Sequence, residues 1–164
     1  MGISAKVGLV AAVAVAVSFG VASTGTIDAA MTGEAAIKER IAAMKAITKE
    51  WNVIRSFGKD DKVTAAVVAE KATIMANLSK QIPAMFPEGS GRGDFSDKET
   101  RALPAIWTDW PSFESASTVM VVESEKLANF AKAGDTGAIP EQIAQVGRLG
   151  CGGCHKAYRG AKVR

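Results

Sequence analysis

Cys151-Gly152-Gly153-Cys154-His155, close to the C-terminal end, constrains this chain more than any other stretch. It holds both cysteines and the only histidine of 164 residues. In C-x-x-C-H, two thiols add across the vinyl groups of a haem and the following histidine supplies an axial nitrogen to the iron. One flat ligand can meet all three side chains only if they share a face. Positions i, i+3 and i+4 do so on a helix, so the spacing predicts helix through the motif. A structural zinc site needs four ligands, and no cysteine or histidine is left to complete one. A thioredoxin-like dithiol belongs in a βαβ context, which the surrounding residues do not offer. A plain disulfide stays open, as does a thiol oxidoreductase built on Cys151 and Cys154, which would be colourless with free thiols.

The N-terminal residues read as a leader. Lys6 gives a short positive start, and Val7 to Ala22 is nearly pure Ala, Val, Gly, Leu and Phe. This is the pattern of a secretory signal peptide over residues 1–22. Small residues place cleavage near Gly20-Val21-Ala22-Ser23, with a second choice near Asp28-Ala29-Ala30. The apolar run is short for a membrane span of about 20 residues, although an uncleaved anchor is the competing reading. Export to the periplasm, without stable membrane insertion after processing, is therefore expected. Residues 31–164 remain for one domain with one core.

Charge excludes little but discourages nucleic acid as a partner. Lys and Arg number 20 against 17 Asp and Glu, a formal +3. The leader takes Lys6 with it, and two ionised haem propionates would bring the remainder near neutrality. The basic residues gather at the end, as Lys156, Arg159, Lys162 and Arg164. There they complement a helix macrodipole, or form a docking patch for an acidic redox partner.

Periodicity predicts four helices. Ile37, Ile41, Met44, Ile47, Trp51 and Ile54 step by threes and fours between Glu34 and Phe57, with Gly58 as the stop. Asp60 or Asp61 caps a second helix carrying Val63, Val67, Ile74 and Leu78, ended by Pro83. A third runs from about Ser112 to Lys132 through Phe113, Met120, Val121, Leu127 and Phe130. A fourth opens at Pro140 and carries Ile143, Val146 and Leu149 into the haem motif. Between the second and third lies a long loop, which Phe86, Trp107 and Trp110 should pin across the bundle. Its Arg92-Gly93-Asp94 tripeptide recurs too easily by chance to carry weight.

The arrangement resembles the class II c-type cytochromes, the cytochrome c′ and cytochrome c-556 family. The resemblance covers the chain from about Glu34 onward. It is carried by Cys151-Gly152-Gly153-Cys154-His155-Lys156-Ala157-Tyr158-Arg159, by Leu103-Pro104-Ala105-Ile106-Trp107, and by Lys38-Glu39-Arg40 followed by Met44. It implies an all-α, antiparallel four-helix bundle, up-down-up-down, with one covalently bound haem c. It also implies that Met44 faces the distal side of the iron, that Arg40 lies near a propionate, and that Arg159 lies close to the proximal pocket. From the residues alone, Met44 is an inward-facing methionine one turn from Arg40, which an ordinary core role would satisfy. Members of the family usually have helix formers between the cysteines, whereas this chain has Gly152-Gly153 after Gly150. Each glycine costs a helix about 1 kcal/mol against alanine. This predicts a turn that is poorly helical until haem is attached, its small residues suiting close approach of the macrocycle.

Two functions follow from the resemblance. In one, Met44 sulfur is the sixth ligand and the protein carries electrons to and from redox partner proteins. In the other, the iron is five-coordinate and binds nitric oxide or carbon monoxide, with Met44 crowding its open face. The lone histidine is committed to iron and no Ser/His/Asp or paired-carboxylate set stands out, so an enzyme is not expected. The resemblance also admits a homodimer through the first two helices.

Overall fold

A computed structural model describes residues 32–163, and the leader expected at 1–22 lies outside them. The chain folds as an all-α, antiparallel four-helix bundle with up-down-up-down topology and a long loop between its second and third bundle helices. Helix α1 spans Gly33–Ile54, and Thr32 caps it by accepting the Ala35 N–H at 3.3 Å. Gly58, at φ +75°, supplies the left-handed residue of the turn that follows. Ile37, Ile47 and Ile54 of the expected stripe are buried, while Ile41 and Met44 are more open because they look onto a cavity described below.

Helix α2 spans Ala65–Ser79, and two expectations about it need correction. Thr64 is its N-cap, accepting the Val67 N–H at 3.4 Å, whereas Asp60 turns back to the Lys62 N–H at 3.0 Å. Its buried face is Val68, Ala69, Ala72, Met75 and Ala76, with Val67, Ile74 and Leu78 half-buried. The helix is apolar on most sides, so hydrophobicity does not single out a face. Size does, because the alanines let α2 lie close along its most extensive partner, the helix α4 that follows. The helix ends before Pro83, which opens a 3-10 turn, Pro83–Met85.

After the loop come a short helix α3, Ala105–Thr108, and helix α4, Trp110–Lys132. Asp109 caps α4 at the Ser112 N–H, 3.3 Å away, and Pro111 sits in its first turn. Phe113, Met120 and Leu127 are buried as expected, and Phe130 is exposed. The fourth bundle member is a composite of α5, Ile139–Gln145, a π-helical segment, Val146–Gly152, and α6, Gly153–Tyr158.

The π segment explains one departure from the sequence reading. Its wider turns place Gly150 inward after Val146 and leave Leu149 exposed. Gly150 packs on α4 so closely that an added Cβ would sit 2.7 Å from Met120 Sδ, while Gly152 and Gly153 face solvent. Glycine therefore serves helix packing at position 150, a Cβ at Gly152 would lie 3.3 Å from the Gly147 carbonyl oxygen, and only Gly153 meets open space.

The loop is pinned by its aromatics. Trp107 Nε1–H donates to the Phe86 carbonyl at 3.0 Å, and the Phe86 ring meets Phe113 edge-on at 4.9 Å. Arg92 is part of this scaffold, donating to the carbonyls of Thr100 at 3.1 Å and Ala161 at 2.6 Å.

Candidate functional site

Helix α1 packs on α2 but has no comparable interface with the C-terminal segment. The two approach at Trp51, whose ring lies 3.3 Å from where a Gly147 Cβ would be. Elsewhere between them the bundle holds a cavity of about 920 Å³. This is at the upper end of the roughly 300–1,000 Å³ usual for cofactor pockets. One wall is α1, with Ile37, Arg40, Ile41, Met44 and Ile47. The facing wall is Gly150, Cys151, Cys154, His155, Tyr158 and Arg159, and the floor is Ile106, Phe113 and Met120. The structure thus brings every expected site residue into one cavity.

Cys151, Cys154 and His155 are each half-buried on the same wall. No disulfide joins the two cysteines. Burial raises both thiol pKa values; the neighbouring charge of Cys151 adds to the rise at Cys154, while a backbone hydrogen bond at Cys151 and the Arg159 charge at both work against it. Desolvation, then Arg159 and Arg101, lowers the pKa of His155 and favours the neutral imidazole, the form that can give a lone pair to iron. Tyr158 closes the inner end, its ring edge-on to Phe113 at 5.3 Å.

Arg40 is the buried charge of the site, 5% exposed. Its guanidinium donates to Ser90 Oγ at 2.9 Å, to Thr100 Oγ1 at 2.6 Å and to the Ser90 carbonyl, and stands 4.9 Å over the Phe86 ring. Among the described residues no carboxylate pairs with it. Desolvation pulls its pKa down to about 10, so it remains a cation with an unmet demand for an anion. Arg159 lies exposed at the rim, where its backbone bridges to Ala102 of the loop. Arg101 Nε–H donates to the Gly160 carbonyl at 2.7 Å and the Leu103 N–H to the Tyr158 carbonyl at 3.1 Å, fastening the end of α6 to the loop.

Ser90, Thr100, Arg101 and Tyr158 were not among the expected site residues. Ser90, Thr100 and Arg101 belong to loop positions with no periodicity, where the length of the loop was the only signal, whereas Tyr158 ends α6 one turn after Cys154 and His155.

These residues fit a haem c. Two thiols and a neutral imidazole share a wall, apolar side chains line the space, and a buried cation stands where a carboxylate would be welcome. Among the described residues no group of three or more His, Cys, Asp or Glu could hold a metal ion unaided. No helix among them is long and apolar enough to cross a membrane.

A sequence model of the family described as Cytochrome C′ matches residues 35–159. Cytochrome c′ of Rhodospirillum rubrum is 28% identical over 137 residues, covering 84% of this chain and 90% of the relative. Cytochrome c-556 of Agrobacterium tumefaciens is 30% identical over 126 residues, covering 75% and 95%. Among solved structures, a ferrous variant of cytochrome c prime from Alcaligenes xylosoxidans with bound NO superposes with a TM-score of 0.69 at 26% identity, covering 80% and 98%.

Proposed function

From its membership of the cytochrome c′ family, to which this chain belongs, we propose that it is a monohaem electron carrier of the periplasm, exported by the leader at 1–22. Covalently bound haem c is the cofactor of the family. When bound, it supplies an iron that passes between ferric and ferrous states, so that one electron enters or leaves without a bond being made or broken.

The chain's own residues do the rest. In this reading Cys151 and Cys154 hold the group by thioether links, and His155 gives the proximal nitrogen. Arg40, fastened to Ser90 and Thr100, offers its charge to a propionate. Arg159 adds positive charge beside the proximal wall. Phe113, Met120 and Ile106 keep water from the inner face, which raises the cost of net charge at the iron and so shifts its potential upward.

The observation that carries the electron-transfer reading is Met44. Its thioether projects from α1 into the same cavity as His155, from the facing wall, and nothing else on that stretch of α1 is a soft ligand. A sixth ligand closes the iron to small molecules and leaves little to reorganise on reduction. Visible spectra of the holoprotein, oxidised and reduced, with and without carbon monoxide, test this. Low-spin bands indifferent to the gas are expected, with Met44→Ala turning the spectrum high-spin and gas-sensitive. A wild-type spectrum that is already high-spin and shifts with carbon monoxide would refute ligation by Met44. It would favour the second reading, a gas-binding protein, which the NO complex of the Alcaligenes relative supports.

A further inference from the structure

The mouth of the cavity carries a charge pattern that holding a haem does not require. Lys45 and Lys49 come from α1, Lys98 and Arg101 from the long loop, and Arg159 and Lys162 from the C-terminal end, and all six line one opening. Among the described residues none of them pairs with a carboxylate, whereas Lys38, Lys71, Lys80 and Lys126 each do. The two carboxylates at the opening are engaged elsewhere. Asp97 lies 3.4 Å from Arg92 Nε, and Glu99 accepts from the Ser96 hydroxyl at 2.6 Å and its amide at 3.1 Å. Two propionates would offset at most two charges, and buried Arg40 stands ready for one of them, so the opening keeps a positive surplus. Inside this ring, Ile41 and Val163 remain 44% and 42% exposed at the same opening.

We propose that this ring of cations is the docking surface for an acidic one-electron redox protein, which exchanges its electron with the haem through the cavity mouth. The inference rests on the electron-carrying reading above: as the iron is oxidised the partner's centre is reduced, or the reverse, and no bond changes. Like charges around a concavity focus the field and raise the rate of encounter with an oppositely charged partner. An apolar centre within a charged rim is the anatomy of a transient protein interface. An anionic lipid surface is the other taker of cations, but it is flat and favours a basic amphipathic helix. Here three separate elements place the cations around a hollow.

The test uses the reduced holoprotein in stopped flow with two inorganic oxidants, anionic hexacyanoferrate(III) and cationic tris(phenanthroline)cobalt(III). Between about 10 and 200 mM salt the first rate should fall tenfold or more and the second should rise. Lys45→Glu/Lys98→Glu should abolish the advantage of the anion, and Lys45→Gln/Lys98→Gln should halve it or more. Lys132→Glu, in the last turn of α4, should leave it intact. An acidic flavodoxin, as a protein probe, should bind at low salt and lose at least tenfold in affinity to the double charge reversal. Rates insensitive to salt and to both double variants would overturn the proposal. So would cosedimentation with phosphatidylserine vesicles, lost in those variants, together with no binding of the flavodoxin. These readouts report charge at the mouth whether or not Met44 ligates the iron, so their failure is separable from that of the electron-carrying reading, which the carbon monoxide spectra decide.

Discussion

Gly150 and Gly153 are two residues of one helical run, yet alanine should have opposite effects at the two positions. Both have negative φ, so neither needs glycine for its backbone. In each, alanine gains about 1 kcal/mol of helix propensity. At Gly153 a Cβ meets nothing within 4 Å, and the gain is kept. At Gly150 the same atom would lie 2.7 Å from Met120 Sδ and 3.3 Å from Met120 Cα. Carbon contacts settle at about 3.5–4.0 Å. The sulfur can swing away, but the Cα moves only if α4 recedes from the π segment. Overpacking of this kind costs about 1–3 kcal/mol. The net for Gly150→Ala is a loss of about 1 kcal/mol, or about 3 °C in Tm for a domain of this size. Urea unfolding of the two holoprotein variants at equal m-value reads the contrast directly. Adding Met120→Ala should bring the Gly150→Ala penalty back toward zero relative to Met120→Ala alone. If Gly150→Ala raises the urea midpoint as Gly153→Ala does, close packing of the π segment on α4 is not what position 150 is for.

Other consequences follow from single contacts. Arg40→Met keeps the stem and removes three charge-assisted donations to Ser90 and Thr100; partial relief of desolvation leaves a loss of about 1–2 kcal/mol, read by urea unfolding, with faster proteolysis of the loop. Glu123 accepts from Lys126 Nζ at 2.8 Å and Gln142 Nε2 at 2.7 Å, which lower its pKa from 4.5, Lys126 first, against the upward pull of burial. Because its folded pKa lies below its unfolded one, its contribution is complete above pH 4.5 and is lost as pH falls through the lowered value. The stability gap between wild type and Glu123→Gln should therefore be widest near neutrality and close in acid, measured by thermal unfolding against pH. Thr64→Ala should cost about 1 kcal/mol as loss of an N-cap, and Asp61→Ala clearly less, since only Thr64 caps α2. Equal losses from both would refute that assignment.

Local signals carried much of this protein. The spacing of Cys151, Cys154 and His155 demanded one helical face, and α6 with the preceding turn provides it. The stripe from Ile37 to Ile54 located α1, and Pro140 marked the start of α5 because proline fits only a first turn. Where apolar residues surround a helix, as on α2, pattern cannot choose a face, and the close approach of alanines to α4 chose it. The aromatic pins of the loop were legible as residues, but their partners were not.

The sequence by itself determined which atoms could hold a haem and that the chain would be helical, since thiol chemistry and helical period are written in adjacent residues. Tertiary structure alone decided the cavity, because it is a space that α1 and the C-terminal segment leave between them. It also decided that Arg40 would be buried without a carboxylate, that the helix before the cysteines would widen into π turns, and that cations from three distant segments would surround one opening. These depend on distances across the fold, which pairs such as Arg40 and Thr100, 60 residues apart, acquire only when the bundle closes.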